Sequence, residues 1–274
     1  TFSTMGEQKK TNYALQPQTK EEFIAAVTNG LGIAPQYFPI NAKINMQGYE
    51  SLDAIKEKGL TALSIEQFKK IQNEDVLVLD TRHANIFTGG FIPGSIFIGL
   101  EGRFAEWAGS LLSYSKPLIL ITEHGKEEET IIRLSRVGFT KILGFLKGGF
   151  EAWQNAGEPI DMIIEVEADE LAMDILHDPN LVVVDVRNET EFANSHIKNA
   201  QNIPLNEMND LVNLAHFEDN QNLYIHCAGG YRSVIAASLL KREGTHNLRN
   251  ILGGWNKIKE QKNIKIEKET SILN

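Results

Sequence analysis

The sequence predicts two α/β domains in tandem, each a doubly wound parallel sheet, preceded by a short N-terminal appendage. An internal repeat is the first observation behind this. Val76-Leu77-Val78-Leu79-Asp80-Thr81-Arg82 matches Leu181-Val182-Val183-Val184-Asp185-Val186-Arg187, with Asp80 and Asp185 105 positions apart. The same offset carries Phe87 to Phe192, Ile92 to Ile197, Ile98 to Ile203 and Leu100 to Leu205. It still holds where Gly148-Gly149-Phe150 meets Gly253-Gly254-Trp255. One register over so many positions means two copies of one fold. Secondly, continuous apolar, β-branched runs alternate with helical patterns, which marks strands buried on both faces of a parallel sheet. Length is the third observation: 274 residues are enough for two domains of ordinary size, each with its own core.

Residues 1–60 form the appendage. Thr19–Thr28 has a short helical pattern, with Thr19 as N-cap and Phe23, Ile24 and Val27 on one face. Ile33 to Ile40, punctuated by Pro35 and Pro39, is expected to be extended, with Tyr37, Phe38 and Ile40 packed on a neighbour. Leu52 to Lys58 reads as a helix that stops at Gly59, and the appendage as a whole is expected to brace a neighbouring domain. The first copy spans 61–160 and the second 161–274, with the boundary near Pro159–Ile163. In each copy a helix (Ser64–Gln72; Ala168–Leu176) leads into a buried strand that ends in Asp-x-Arg. A loop and a short strand come after it (Ser95–Ile98; Ala200–Ile203), and then a helix. Next come a second buried strand (Leu118–Ile121; Leu223–His226), another helix, a short strand and a terminal helix. In such sheets the chemistry sits at the carboxyl ends of the strands.

A hydrophobic fraction of 42% and a charged fraction of 23% are those of a globular protein. The net charge of −9 and a pI near 5.4 argue against nucleic acid or an anionic membrane as the main partner. No apolar run approaches the length of a membrane span, and Thr1-Phe2-Ser3 does not open a signal peptide. A start without Met is expected of a fragment, or of a chain whose earlier part is missing. One cysteine excludes an internal disulfide and fits a reducing compartment, so the cytoplasm is the expected location. Homo-oligomerisation stays open.

That cysteine, Cys227, lies in Ile225-His226-Cys227-Ala228-Gly229-Gly230-Tyr231-Arg232-Ser233. The β-like run Asn222–His226 delivers it, and a helical pattern runs from Ser233 to about Arg242 and stops at Gly244. A strand that ends in Cys and turns through Gly-Gly into a helix makes a bowl of backbone N–H groups at the positive end of the helix dipole. Such a bowl favours an anion, here a thiolate. Gly229 and Gly230 allow the positive φ values and close approach this needs, and Arg232 adds a forked cation. A lone cysteine ending an apolar strand is more often a buried small hydrophobe. The glycine pair, the arginine and the helix start reverse that expectation for Cys227, with Ala228, Gly229, Gly230, Tyr231 and Arg232 as the loop that holds the substrate. Two roles are open to Arg232, holding the substrate or bracing the loop from within. Tyr231 either shapes the entrance or is a surface aromatic. Asp185 and Arg187 are expected to pair and hold the strand end, and Ser233 supports the loop at the helix start. His226 points away from Cys227 on a strand of period two, so it reads as a packed histidine. His196 reads as a structural hydrogen-bonder, and Gly253-Gly254-Trp255 as a turn that packs Trp255 on the core.

The second copy resembles a rhodanese domain. The matching residues are Asp185-Val186-Arg187, Glu191-Phe192, the run from His196 to Leu205, the loop from Cys227 to Ser233, and Gly253-Gly254-Trp255. The resemblance implies a doubly wound α/β fold and sulfur transfer through a persulfide on Cys227. Sulfur would come from thiosulfate or a low-molecular-weight persulfide and leave to a thiol, sulfite or cyanide. The wider chain is similar to the C-terminal part of bacterial proteins that fuse a metallo-β-lactamase-fold persulfide dioxygenase to rhodanese domains. This likeness rests on Lys9 to Leu15, Glu21-Glu22-Phe23, Val27 to Leu31, Tyr37-Phe38-Pro39 and Asn41 to Gly48. It implies that residues 1–60 are the remnant of a metallo domain or a linker to it, and that the dioxygenase domain is a partner within the same protein. The iron site of such a dioxygenase needs a His-x-His-x-Asp-His cluster. Histidines 83, 124, 177, 196, 216, 226 and 246 do not form one, so no metal ligand, cofactor or dioxygenase activity is expected of this chain.

The same fold hosts phosphatases that also use Cys and Arg in a strand-to-helix loop. They place five residues between the two, whereas four lie between Cys227 and Arg232, a smaller bowl suited to a persulfide sulfur. In the first copy Thr122 stands where Cys227 stands, and the loop Glu123-His124-Gly125-Lys126 runs into Glu127-Glu128-Glu129. Those acids already occupy the positive end of the helix, so this copy is expected to be a scaffold without the chemistry. His124 and Lys126 as ligand-binding groups are the alternative there. The competing reading of the whole chain is a binding module or domain spacer, which a buried Cys227 would favour.

Overall fold

The computed structural model describes residues 2–28, 37–48, 50–208, 217–218 and 220–269. The first copy builds a five-stranded sheet from β1 (Ala62–Leu63), β2 (Leu77–Asp80), β3 (Ile96–Phe97), β4 (Leu118–Ile121) and β5 (Ile142–Leu146), in the order β1-β5-β4-β2-β3. In the second copy, β6 (Ile164–Val166), β7 (Leu181–Asp185), β9 (Gln201–Asn202), β10 (Asn222–His226) and β11 (Leu248–Ile251) repeat that order as β6-β11-β10-β7-β9. Every pairing within these two sheets is parallel. A separate antiparallel pair, β8 (His196–Ile197) with β12 (Ile266–Glu267), ties the end of the described chain back to the second copy. All four residues of β2 and all four of β4 are buried, as a strand covered on both faces requires.

Between β7 and β10 the chain crosses from one side of the sheet to the other. Their carboxyl ends therefore face the crevice where ligands of such sheets bind. Asp185 ends β7 and Cys227 comes directly after β10.

Local chemistry explains most helix boundaries. Ser64 and Gln67 form a capping box for Ile65–Gln72, and Asn188 with Glu191 does the same for Glu189–Asn194. Ala168–Asp174 stops short of the expected Leu176. After Gln201–Asn202, where a helix is expected, the described chain makes one 3-10 turn, Leu205–Glu207; residues 209–216 lie outside the described ones.

The appendage differs from its expected form in one place. Tyr37–Gln47 is a helix, not an extended run. Pro39 is its third residue, in the first turn, where a missing N–H costs no helical hydrogen bond. Tyr37 packs against Gly109, where an added Cβ would lie 2.8 Å from the ring, but Phe38 is 53% exposed. Residues 33–36 of the expected extended run lie outside the described ones. Met5–Thr11, Lys20–Thr28 and Tyr37–Gln47 bury no residue fully, whereas Leu52–Gly59 buries Ile55 and Gly59 against the Glu127–Ser135 helix. Among the described residues, no helix is long and apolar enough to cross a membrane.

The Tyr231–Arg242 helix joins the two copies. Residues Ser233 to Leu240 are buried without a break, so no face of this helix is left to solvent over two turns. It covers the second sheet and also packs on β3 of the first copy, and apolar residues of both copies meet in one core cluster. At the seam Ser238 Oγ accepts a hydrogen bond from the Phe97 N–H at 2.9 Å and donates to the Ile235 carbonyl at 2.7 Å. Lys241 reaches Asp161, in the connection between the copies, at 2.7 Å. Ser238→Ala leaves the buried Phe97 N–H without a partner, at a cost of about 1–3 kcal/mol. Calorimetry is expected to show the melting temperature falling by about 2–4 °C per kcal/mol lost; an unchanged melt would mean that this bond does not hold the copies together.

Candidate active site

The second-copy loop is held from three sides. From below, the Trp255 N–H donates to the Cys227 carbonyl at 2.7 Å and the Asn256 N–H to the Ala228 carbonyl at 3.1 Å. This close approach requires glycine at 254, which has φ +52; a Cβ there would overlap the Cys227 carbonyl. Beside it, Asp185 and Arg187 form a buried ion pair, with Arg187 Nη2 at 2.6 Å from Asp185 Oδ2 and at 2.8 Å from the Ser195 carbonyl. The Arg187 guanidinium lies 4.4 Å above the Trp255 ring centroid. Across the loop, Arg232 makes a two-pronged bond to Glu191, at 2.7 and 2.8 Å. That bond raises the pKa of Arg232 and lowers that of the Glu191 carboxyl, so both stay charged.

Cys227 lies on the floor of a cleft of about 710 Å³ that runs between the copies. Gly230, with φ +106, directs its N–H at Sγ from 3.1 Å, and Ser233 Oγ lies 3.6 Å from Sγ. The expected bowl of several N–H groups is thus one backbone donor and one hydroxyl around the sulfur itself. The cysteine is only 2% exposed, although it lines the cleft with Gly229, Tyr231 and Arg232. The helix begins at Tyr231, two residues before the expected start at Ser233, which brings its amino end directly under the loop.

The two histidines and the tyrosine named from the sequence are each held by specific contacts. His226 is fully buried; its Nε2 is 3.7 Å from Asp185 Oδ2, too far for a hydrogen bond, and its ring stacks on Trp255. Burial holds its pKa below the usual imidazole value, so the ring is neutral at pH 7. His196 bonds the Phe192 carbonyl through Nδ1 at 2.9 Å and stacks on the Phe192 ring. Tyr231 is no surface aromatic. Its hydroxyl donates to the Gly99 carbonyl of the first copy at 2.8 Å and its ring meets Phe97 edge-on, so the Cys227 loop is anchored to the neighbouring domain. Gly99 lies close under this ring, where an added Cβ would come within 3.2 Å of it.

The first copy repeats the frame without the cysteine. Asp80, Arg82, the Gly90 carbonyl and Phe150 repeat the Asp185–Arg187–Ser195–Trp255 arrangement, each displaced by 105 residues. At the positions of Glu191 and Arg232 it has Ile86 and Glu127. Glu191 carries no sequence mark as the partner of Arg232, yet a position-by-position comparison of the copies reveals it: both members of the pair occur only beside the cysteine. No such comparison reveals Glu101, Arg103 and Trp107, which the first copy contributes to the far wall of the cleft. Among the described residues no group of His, Cys, Asp and Glu is arranged to hold a metal ion.

The family model described as a rhodanese-like domain matches residues 64–156 and, a second time, 167–261. A Bacillus subtilis protein named as a candidate sulfur carrier, YrkF, is 31% identical over 108 residues, covering 39% of this chain and 55% of that protein. A Schizosaccharomyces pombe protein named as a candidate mitochondrial thiosulfate sulfurtransferase is 29% identical over 91 residues, covering 28% of this chain and 63% of that one. The chain therefore spans little more than half the length of these relatives. A Staphylococcus aureus metallo-beta-lactamase structure overlaps 53% of this chain and 40% of its own, at 25% identity and a TM-score of 0.41. At that score the overlap does not establish a shared architecture, and the likeness to a dioxygenase fusion is unconfirmed. Two matches of one family model, each laid over one of the two repeated sheets, place this chain in the rhodanese-like domain family.

Proposed function

We propose that the chain is a sulfurtransferase that carries sulfane sulfur on Cys227. The observation that carries this reading is the Gly230 N–H aimed at Cys227 Sγ on the floor of an open cleft, with the amino end of a helix beneath it. A packed cysteine with no chemical role gains nothing from a donor of this kind, whereas a thiolate or a persulfide anion does. In the first step the Cys227 thiolate attacks the outer sulfur of the donor. A Cys227 S–S bond forms, the donor's S–S bond breaks, and its electron pair leaves on sulfite (from thiosulfate) or on a thiolate (from an organic persulfide). In the second step a thiol, sulfite or cyanide attacks the outer sulfur and Cys227 departs as the thiolate. Arg232 supports this chemistry as a brace: with Glu191 it fixes the end of the loop, and its charge stays beside the sulfur. Tyr231 and Trp255 hold the loop from opposite sides. In this reading the first copy is a scaffold whose acidic loop repels anionic donors.

One observation favours the competing reading of a binding module, namely the 2% exposure of Cys227. The two separate in one measurement. Incubation with excess thiosulfate, and separately with glutathione persulfide, is expected to add one sulfur (about 32 Da) to the intact mass, and Cys227→Ser is expected to abolish the gain. No added sulfur from either donor, with Cys227 still open to an alkylating reagent, would leave the binding module ahead.

The same geometry sets the outcome of two further substitutions. Gly254→Ala pushes a methyl group into the Cys227 carbonyl and is expected to slow sulfur loading about tenfold or more, the effect of a displacement of the nucleophile on the order of 1 Å; loading at the wild-type rate would show that the Gly254 contact does not set the loop. Placing a cysteine in the first copy, as Thr122→Cys in the Cys227→Ser background, is expected to gain no sulfur by intact mass, since Glu123 and Glu127 flank that position.

A further inference from the structure

The wall of the cleft opposite the Cys227 loop belongs to the copy without a cysteine. Gly102, Arg103 and Trp107 form it, facing Cys227, Gly229 and Arg232. A volume of about 710 Å³ is that of a site for a drug-sized molecule, far larger than thiosulfate needs. The charges in this space are already matched. Arg232 is held by Glu191, and Arg103 is held by Glu106 through Nε and a terminal nitrogen. Glu101 adds a further carboxylate to the lining. An inorganic dianion therefore meets two arginines that each already have a carboxylate partner.

What the wall does offer is a large ring surface beside polar side chains. Trp107 is half-buried: part of the indole packs on the core, and it also lines the cleft, with the Arg103 guanidinium 6.0 Å from its ring centroid. From the second copy, Asn206 brings an amide that both donates and accepts, and Asn188, whose Oδ1 accepts from the Glu191 N–H at 2.8 Å, brings amide N–H donors. No step of the sulfur exchange uses any of these groups. They suit the organic part of an amide-bearing thiol, whose apolar and peptide surfaces can lie on the indole and whose charges are spread along the molecule, its ammonium beside its carboxylates, rather than concentrated at one centre as in thiosulfate. We propose that Trp107, assisted by Arg103, is the subsite for the organic group of the sulfur donor, so that the copy lacking a cysteine determines which thiol persulfides are used. This rests on the sulfur-transfer reading of Cys227 and adds a residue that determines specificity on the other domain.

The test compares two reagents at one sulfur. Loading of Cys227 by glutathione persulfide is followed by quenched-flow intact mass across donor concentrations, and alkylation by iodoacetamide, too small to span the cleft, is followed separately. For Trp107→Ala the half-saturating persulfide concentration is expected to rise about tenfold, the effect of losing one large apolar contact. The limiting loading rate and the alkylation rate are expected to stay within about twofold of wild type. Trp107→Phe is expected to restore most of the affinity. Arg103→Ala, at a side chain 69% exposed, is expected to weaken the persulfide about threefold without altering the melt. Loading and alkylation falling together in Trp107→Ala would overturn the inference, because Trp107 would then be supporting the loop; so would unchanged persulfide saturation. A wild-type Cys227 that alkylates but accepts no sulfur would overturn the sulfur-transfer reading and this inference with it.

Discussion

The structure depends on one helix that has no outside. Tyr231–Arg242 buries Ser233 to Leu240 in unbroken succession because one side of it covers the second sheet and the other side lies on the first copy. A surface helix of a single rhodanese-like domain needs one apolar stripe; this one needs apolar or hydrogen-bonded residues all round. The sequence Val234-Ile235-Ala236-Ala237-Ser238-Leu239-Leu240 supplies that, with small residues where backbones approach and Ser238 satisfying a backbone N–H of β3. The same helix starts at the Cys227 loop. Whatever holds the two copies together therefore also fixes the amino end of the helix beneath Cys227, and the fold's main seam and the cysteine loop share one element.

A second constraint separates what is structural in the repeat from what is chemical. The Asp-x-Arg pair stacked under an aromatic ring occurs in both copies, with Arg82 4.2 Å from the Phe150 centroid and Arg187 4.4 Å from that of Trp255. Since the copy without a nucleophile keeps this cage, its job is to tie the strand end to the last helix. Burying such an ion pair gains little by itself, but the bonds from Arg82 to Gly90 and from Arg187 to Ser195 fix the loop after β2 and the loop after β7. Burial raises the pKa of Asp80, the cost that the arginine offsets. The Glu191–Arg232 pair behaves oppositely: it is present only with Cys227 and is replaced by Ile86 and Glu127 in the other copy. An interaction found only in the copy with the cysteine is tied to that loop rather than to the shared fold.

The fold was legible in the sequence because the repeat supplied an internal comparison. Strand positions, the shared register of 105 and the placing of Asp185 and Cys227 at adjacent strand ends all derive from it. Local rules failed where tertiary packing decides. Pro39 reads as part of an extended run until its place in the first turn is known, and the choice for Tyr231 between shaping the entrance and lying on the surface stays open until the first copy closes over it. The residues facing Cys227 from the other domain lie beyond any local reading, since their proximity arises only when two sheets some 105 residues apart in sequence dock across one helix.

Docking also changes what a cysteine-less copy is for. A domain kept only as a spacer would present any surface to its neighbour, provided it packed. This one sets Gly99 close against the Tyr231 ring, where an added Cβ would lie 3.2 Å from it, gives the Gly99 carbonyl to the Tyr231 hydroxyl, and then continues through Glu101 and Arg103 to Trp107 along the cleft. Burial raises the pKa of the Tyr231 phenol well above its usual value, so the group stays a hydrogen-bond donor throughout the neutral range. The anchor and the wall are thus a single segment, Gly99 to Trp107, reached from the end of β3. Its beginning sets the position of the Cys227 loop and its end sets the shape of the space above it. The copy without a cysteine thus lines the cleft above the cysteine of the other.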